Sequence, residues 1–235
     1  MRPALKLPVL WLKRLLLGLF GLLLLYQLWL FGWVLWWNWV NPESTRFMEI
    51  RLVELQAKDP RAQLKKQWVS YGKISNHLKR ALIVSEDGLF IHHEGFDWDG
   101  IQKAIEKNQK KGKIVAGGST ISQQLAKNLF LTPSKTPWRK AEEAIITLML
   151  EAVWSKQRIF EVYLNVIEWG NGVFGAEAAA RHYFGISAAQ LSAEQAAKLA
   201  GMVPSPRFYD RNRSAPGLAR KTEVILGRMP SAQIP

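Results

Sequence analysis

The chain has 235 residues, a formal net charge of +13 and no cysteine. That length suits one domain of ordinary size with an appendage, and the absence of cysteine excludes disulfides and thiolate metal sites. The strong positive charge predicts anionic partners, such as phosphorylated substrates or lipid headgroups.

The first predicted element is a membrane-spanning helix over residues 15–40. This segment carries no charge and is apolar or aromatic apart from its glycines, Gln27 and Asn38. It exceeds the roughly 20 residues that cross a bilayer's hydrocarbon core as a helix. It ends in tryptophans and lacks the small-residue cleavage site of a signal peptide. We therefore expect an uncleaved anchor.

The charges that flank the span predict its orientation. Cations are absent after it until Arg46, whereas four precede it: Arg2, Lys6, Lys13 and Arg14. Because positive residues favour the cytoplasmic side, residues 1–14 are expected in the cytoplasm and the rest of the chain outside. Export of the main domain argues against nucleic acid as a partner.

Residues 41–70 form a polar juxtamembrane stretch without a strong motif, and residues 71–235 are predicted to form one mainly α-helical domain. Its first helix follows from the apolar spacing of Leu78, Ala81, Leu82 and Leu89. Part of the lysine-rich segment Lys103–Lys113, which ends in Val115-Ala116-Gly117-Gly118, is expected to be a mobile loop. Further helices are predicted over residues 119–131, 138–154, 155–169, 175–184 and 192–204, the last opened by a capping box of Ser192 and Gln195.

The helix after the Gly117-Gly118 turn carries polar residues on one face. Ser119 or Thr120 can cap it, and Gln124, Lys127 and Asn128 stand at i, i+3 and i+4. Amides donate to sugar hydroxyls, and lysine contacts phosphate as a point charge. From spacing alone, an ordinary amphipathic helix whose polar face meets water is the favoured alternative.

Two further groups can carry chemistry. Glu86 and Asp87 end an apolar helix, and a carboxylate enclosed by apolar neighbours has a raised pKa that suits a general base. The alternative is an acidic helix end facing solvent. Arg139, Lys140 and Glu143 form i,i+4 and i,i+3 pairs, which indicate either a phosphate cradle or a helix-stabilising ion pair worth about 0.3–0.5 kcal/mol.

These segments resemble, in order and spacing, the signature motifs of the bacterial peptidoglycan glycosyltransferases, or transglycosylases. The motifs are Glu86-Asp87-x-x-Phe90-x-x-His93-x-Gly95, residues 117–128 (Gly-Gly-Ser-Thr-Ile-Ser-Gln-Gln-Leu-x-Lys-Asn), Arg139-Lys140-x-x-Glu143, and residues 158–165 (Arg-Ile-Phe-Glu-x-Tyr-Leu-Asn). The similarity covers about Ser70 to Pro206. The departures are slight: Ser122 stands where threonine is common, and Phe160 where leucine is common. We expect no transpeptidase domain after the segment of similarity. The chain therefore resembles the monofunctional members of the family, and also the glycosyltransferase domain of bifunctional penicillin-binding proteins.

The resemblance implies a lysozyme-like helical domain behind its anchor. The implied reaction polymerises lipid II into β-1,4-linked glycan with inversion and release of undecaprenyl pyrophosphate. Implied partners are lipid II, the nascent strand, the membrane, and proteins of wall synthesis or division. The implied location is the bacterial inner membrane, with the catalytic domain in the periplasm.

The resemblance also implies roles for single residues. Glu86 would be the general base, and Glu143 the second catalytic glutamate. No cofactor is required, although Glu143 could help hold a divalent cation, Mg or Mn. Substrate contacts are implied for Asp87, Phe90, His93, Ser119, Thr120, Gln124, Lys127, Asn128, Arg139 and Lys140. Two rival readings remain: a lysozyme-like enzyme that cleaves glycan, and a non-catalytic wall-binding scaffold.

Overall fold

A computed structural model describes residues 6–113 and 117–235. The chain forms two compact units, residues 1–41 and 42–235. The first unit is helix α1, Lys6–Trp39. Within the described residues, α1 is the one helix long and apolar enough to cross a membrane, over Leu10–Trp39. Arg2 lies outside the described residues.

The second unit is predominantly helical, as the sequence predicts. Its helices are α2 Arg46–Gln56, α3 Asn76–Glu86, α4 Trp98–Lys111, α5 Ile121–Phe130, α6 Pro137–Val153, α7 Lys156–Val166, α8 Ala176–Phe184, α9 Ala193–Met202, α10 Pro206–Arg211 and α11 Pro216–Arg228. Short 3₁₀ turns occupy Tyr71–Lys73, Phe90–His92, Ala188–Gln190 and Met229–Ser231.

A small sheet joins three short strands in the order β1-β3-β2: β1 Lys65–Lys66, β2 Glu168–Gly170 and β3 Val173–Phe174. Strand β1 runs parallel to β3, with Lys65 opposite Val173, and β2 pairs antiparallel with β3. The segment 41–70, expected to lack a strong motif, therefore supplies a helix and a strand to this unit.

Side-chain caps fix where most of the predicted helices begin. Thr120 and Gln123 form a capping box at the start of α5, and Ser192 and Gln195 form the predicted box at α9. Each box satisfies backbone amides that lack partners in the first turn. Helix α6 begins with Pro137 after the N-cap Thr136.

Two sequence predictions need correction. Residues 103–111 are helical rather than part of a loop, because Asp97 caps the N-terminus of α4 and Gly112 ends the helix in the left-handed region. Val115 and Ala116 lie outside the described residues. The helix predicted to reach Trp169 stops at Val166, because residues 168–170 pair with β3.

The packing of α3 positions the candidate site. Helix α3 begins after the N-cap Ser75 and packs against α9 and α11, burying Leu78, Leu82 and Ile83 completely. Each such side chain contributes about 1.5–3 kcal/mol. Helix α5 packs against α6 and α7. Helix α3 ends at Glu86, because Asp87 leaves helical geometry and Gly88 follows.

Candidate active site

Glu86 is the last residue of α3, and its carboxylate is held on one side only. Its Oε2 accepts a 3.0 Å hydrogen bond from Gln124 Nε2 of α5. Its Oε1 is buried and has no hydrogen-bond partner within residues 6–113 and 117–235. Burial raises the pKa of Glu86, and the Gln124 hydrogen bond, Lys221 and Lys127 partly offset that rise. A buried carboxylate with a free oxygen and a raised pKa can exchange a proton with a ligand.

Two pockets meet at Glu86. The smaller one, which we call the turn pocket, measures about 160 Å³ and is lined by the Gly117–Thr120 turn, Gly88, Asp97 and Gly100. Its walls expose backbone and short polar side chains. Ligand atoms in the turn pocket can therefore approach both the N-terminal end of α5 and the Glu86 carboxylate.

The larger pocket, which we call the α11 pocket, measures about 510 Å³ and is lined mainly by α9 and α11. Apolar side chains such as Ile225 line it together with the cations Arg220, Lys221 and Arg228. Glu86 therefore contributes to the walls of two differently lined cavities.

The polar face predicted for α5 lies beside this carboxylate. Gln124 contacts Glu86 directly, whereas Asn128 Nδ2 donates to the Gln124 carbonyl at 2.7 Å. Lys127 is half-buried, and burial lowers its pKa, while Glu143 and Glu86 raise it and Arg139 and Lys140 lower it. Lys127 therefore lies within electrostatic reach of both glutamates. Within the described part of the chain its ammonium group forms no salt bridge, which leaves it available to an anionic ligand.

Asp87 and His93 brace the site, and Asp87 also lines the turn pocket. Asp87 Oδ2 accepts from the backbone amide of Ile121 at 2.9 Å, and His93 Nε2 lies 2.9 Å from Asp87 Oδ1. The ring's other nitrogen, Nδ1, accepts from the Gly95 amide at 3.1 Å. Thr120 Oγ1 donates to the Gly95 carbonyl at 2.7 Å. These bonds fix the segment after Glu86 to the first turn of α5.

Phe90 is fully buried and packs against Phe160 and His93, with ring centroids 5.6 and 6.3 Å away. A side chain without exposed surface shapes a site without touching a ligand in this conformation. Direct substrate contact by Phe90, Asp87 or Thr120, all of them buried, therefore stays a prediction.

The Arg139–Lys140–Glu143 group is an ion-pair cluster around a buried acid. Arg139 Nη1 lies 2.5 Å from Glu143 Oε2, and Lys140 Nζ contacts Oε1. The Glu143 side chain is 4% exposed and that of Lys140 is 49% exposed. Lys140 also reaches the exposed Ser119 hydroxyl at 3.5 Å. Glu143 is therefore buried between two cations, whereas Lys140 is accessible, and a catalytic role for Glu143 stays a prediction.

The residues near Glu143 do not fit a resident metal ion. Both of its carboxylate oxygens are taken by cations. Within residues 6–113 and 117–235, no group of three or more His, Asp or Glu side chains could hold an ion. A divalent cation at Glu143 stays an expectation from the sequence.

Sequence reasoning missed three supports of the site. Tyr163 of α7 is fully buried and donates its hydroxyl hydrogen to Gln124 Oε1 at 3.0 Å. Ser122 donates to Glu151 Oε1 at 2.5 Å, and Lys156 binds the same oxygen at 2.8 Å. A threonine at position 122 would also supply that hydroxyl. Lys221 could not have been found, since nothing in the sequence places α11 beside Glu86.

Comparison with known proteins gives one consistent result. A family model described as Transglycosylase matches residues 53–230. A protein of Dechloromonas aromatica named "Biosynthetic peptidoglycan transglycosylase" is 75% identical over 225 residues, which cover 96% of this chain and 97% of the relative. A protein of the same name from Nitrosospira multiformis is 62% identical, with 96% of this chain and 98% of the relative covered. Another, from Chromobacterium violaceum, is 63% identical, with 94% of this chain and 97% of the relative covered.

Proposed function

This chain belongs to the transglycosylase family, and from that premise we propose that it polymerises lipid II into β-1,4-linked peptidoglycan glycan strands. The observation that carries the proposal is the Glu86 carboxylate, which lines two pockets, has cations nearby and has no hydrogen-bond partner for Oε1 among the described residues. Relatives that match nearly the whole chain carry the name of a biosynthetic enzyme.

In the proposed reaction, Glu86 is the general base. The acceptor's 4-hydroxyl oxygen attacks the anomeric carbon of the donor sugar, and Glu86 takes the hydroxyl proton. The bond from that carbon to the pyrophosphate oxygen breaks as the new glycosidic bond forms, so the configuration inverts from α to β. The raised pKa of Glu86 brings it closer to the pH at which a base works best.

The cations have a separate task. The leaving pyrophosphate needs its charge neutralised more than it needs a proton. Lys127 can supply this charge, because it is half-buried, acts on the pKa of Glu86 and forms no salt bridge among the described residues. Lys140 contributes its exposed ammonium group, and Arg139 and Glu143 hold that end of α6 in place. Gln124, Asn128 and Ser119 supply hydrogen bonds to sugar or phosphate oxygens.

The location follows from the first unit. Helix α1 is long and apolar enough for a single-pass anchor. We assign the N-terminus to the cytoplasm and residues 42–235 to the outer face of the inner membrane, on the basis of the cations before the span. That side of the bilayer is where a lipid-linked sugar substrate would meet the site. Proteins of wall synthesis or division remain expected partners.

One experiment separates synthesis from the rival functions. Purified full-length protein is incubated with lipid II and, separately, with preformed glycan strands. Polymer of increasing length from lipid II, with the preformed strands intact, supports the proposal. Shortened strands without polymer would indicate a cleaving enzyme, and binding without turnover would indicate a scaffold.

A further inference from the structure

Tyr163 lines neither of these two pockets, yet only Gln124 separates it from the proposed base. The side chain lies on α7 with no exposed surface, stacked on Phe160 at a centroid distance of 6.3 Å. Its hydroxyl donates to Gln124 Oε1 at 3.0 Å, and Gln124 Nε2 donates to Glu86 Oε2 at 3.0 Å. A continuous hydrogen-bonded chain therefore runs from the core to the carboxylate.

The direction of these bonds is decided by chemistry. An ionised carboxylate only accepts hydrogen bonds, so Gln124 must present its NH₂ group to Glu86 and its oxygen to Tyr163. Tyr163 must then donate. Burial, with Glu86 and Asp87 nearby, raises the pKa of Tyr163 well above its ordinary value, so the phenol keeps its proton at any pH at which the enzyme works. Tyr163 is therefore a fixed donor.

We propose that Tyr163 is a positioning residue for glycosyl transfer: it locks the Gln124 amide in the orientation that donates to Glu86 Oε2. The locked amide holds the carboxylate in its charged form and leaves Oε1 free for the acceptor proton. This inference rests on the proposed function, because it concerns the same base.

Loss of the tyrosine hydroxyl has a predictable sign. Without it, the Gln124 oxygen loses its buried partner, and the amide can turn that oxygen toward Glu86. An oxygen there favours the protonated acid, so the pKa of Glu86 rises above its already raised value. The other charged groups acting on Glu86 are Lys221 of α11, Lys127 of α5 and the adjacent Asp87, and none of them changes. Less base is then available on the acid side of the pH profile.

The test compares full-length wild type and Tyr163→Phe in lipid II polymerisation, with kcat and KM measured across pH. We expect the acidic limb of the kcat profile to move to higher pH. At neutral pH we expect kcat to fall about three- to tenfold, as for the loss of one hydrogen bond, with KM within about twofold. The matched control is Tyr183→Phe, which removes a hydroxyl bonded to the Trp169 carbonyl at 2.9 Å. Its acidic limb should coincide with that of the wild type.

A second pair of variants distinguishes a loss of positioning from a loss of activity through misfolding. Gln124→Leu and the double variant Gln124→Leu/Tyr163→Phe are compared with each other. If Tyr163 acts only through Gln124, the double variant has the same kcat as Gln124→Leu. An unchanged acidic limb in folded Tyr163→Phe, or a further kcat loss in the double variant, would overturn the inference. A wild type that makes no polymer would instead refute the proposed function.

Discussion

Glu86 and Gln124, 38 residues apart in the chain, are joined by a 3.0 Å hydrogen bond, and the second carboxylate oxygen of Glu86 is buried without a partner among the described residues. An ionisable group in that state costs the fold free energy whenever it is charged. Glu86 can therefore take up a proton at this oxygen, and its buried charge lowers the stability of the fold. Both effects can be measured.

The first prediction concerns stability and pH. The folded pKa of Glu86 is raised above the value of 4.5 expected for an unfolded chain. Wild-type stability therefore decreases as pH rises from that value through the raised pKa, and it stays lower at neutral pH. Glu86→Gln should be more stable than the wild type at neutral pH. That advantage should vanish below about pH 4.5.

Urea unfolding at about pH 4 and at about pH 7.5 measures this difference. The control is Glu49→Gln, because the Glu49 side chain is 56% exposed and lies on the surface of α2 beside Arg46. A Glu86→Gln advantage that is the same at both pH values would show that the carboxylate is not strained by burial.

A second prediction separates the two roles of the α6 cluster. Lys140→Ala should cost less than about 1 kcal/mol of stability, since an exposed partner contributes little, but it should weaken donor binding. Replacing both Arg139 and Lys140 by alanine leaves the buried Glu143 without its two paired cations. That double variant should lose about 3–5 kcal/mol, and adding Glu143→Gln should restore part of the loss. A double variant as stable as the wild type would contradict the assignment of Glu143 as a buried ion.

A third prediction concerns Gly95, which links His93 to Thr120. Its φ of +89° disfavours any L side chain, and a Cβ atom there would lie 2.7 Å from Thr147 Cγ2. Gly95→Ala should therefore cost about 2–4 kcal/mol from strain and overpacking together and should reduce turnover. The control Gly227→Ala, in α11 with nothing within 4 Å of the added atom, should change stability by less than about 1 kcal/mol. Equal melting temperatures for the two variants would contradict this.

Local signals in the sequence predicted α3 and the helices α5 to α9, whereas α2, α10 and α11 were not predicted. Apolar spacing at Leu78 and Leu82 and the boxes at Thr120 and Ser192 act within a few residues, so helix type and start could be read from them. The strand Glu168–Gly170 could not, because its pairing with β3 depends on tertiary context. Helix α4 was missed because its lysines conceal the apolar face that buries Ala104.

The site residues also divide into those that local spacing predicts and those that only the folded structure brings together. Residues that share one helix face, such as Gln124 and Lys127, were predicted by spacing. Partners brought together only by folding were harder to find. Tyr163 stands in the fourth motif, but spacing does not place it against Gln124, and Lys221 had no local signal. Sequence also left open whether Arg139 and Lys140 pair with Glu143, and the structure answers that they do.

A fourth prediction concerns the anchor. Deleting residues 1–40 leaves the compact unit of residues 42–235, which should still use detergent-dispersed lipid II but should act poorly on lipid II in vesicles. Within residues 41–70, five exposed cations remain to attract anionic headgroups: Arg46, Lys58, Arg61, Lys65 and Lys66. Arg51 does not join them, because it pairs with Glu54 and Glu168.

Each of these cations contributes up to about 1 kcal/mol near an anionic surface. Salt screens that attraction, so the vesicle deficit of the truncated protein should grow with ionic strength. Equal vesicle activity of the two proteins at every salt concentration would show that the anchor has no part in turnover.

The central claim is that Glu86 removes the acceptor's proton during glycan polymerisation. Glu86→Gln keeps the size of the side chain and can still accept the bond from Gln124, but it has no ionised oxygen. The decisive measurement is polymer formed from lipid II by folded wild type, Glu86→Gln and the surface control Glu49→Gln. The account predicts polymer from the wild type and the control, and loss of at least about a hundredfold in rate for Glu86→Gln. Polymerisation by folded Glu86→Gln at a rate near that of the wild type would contradict it.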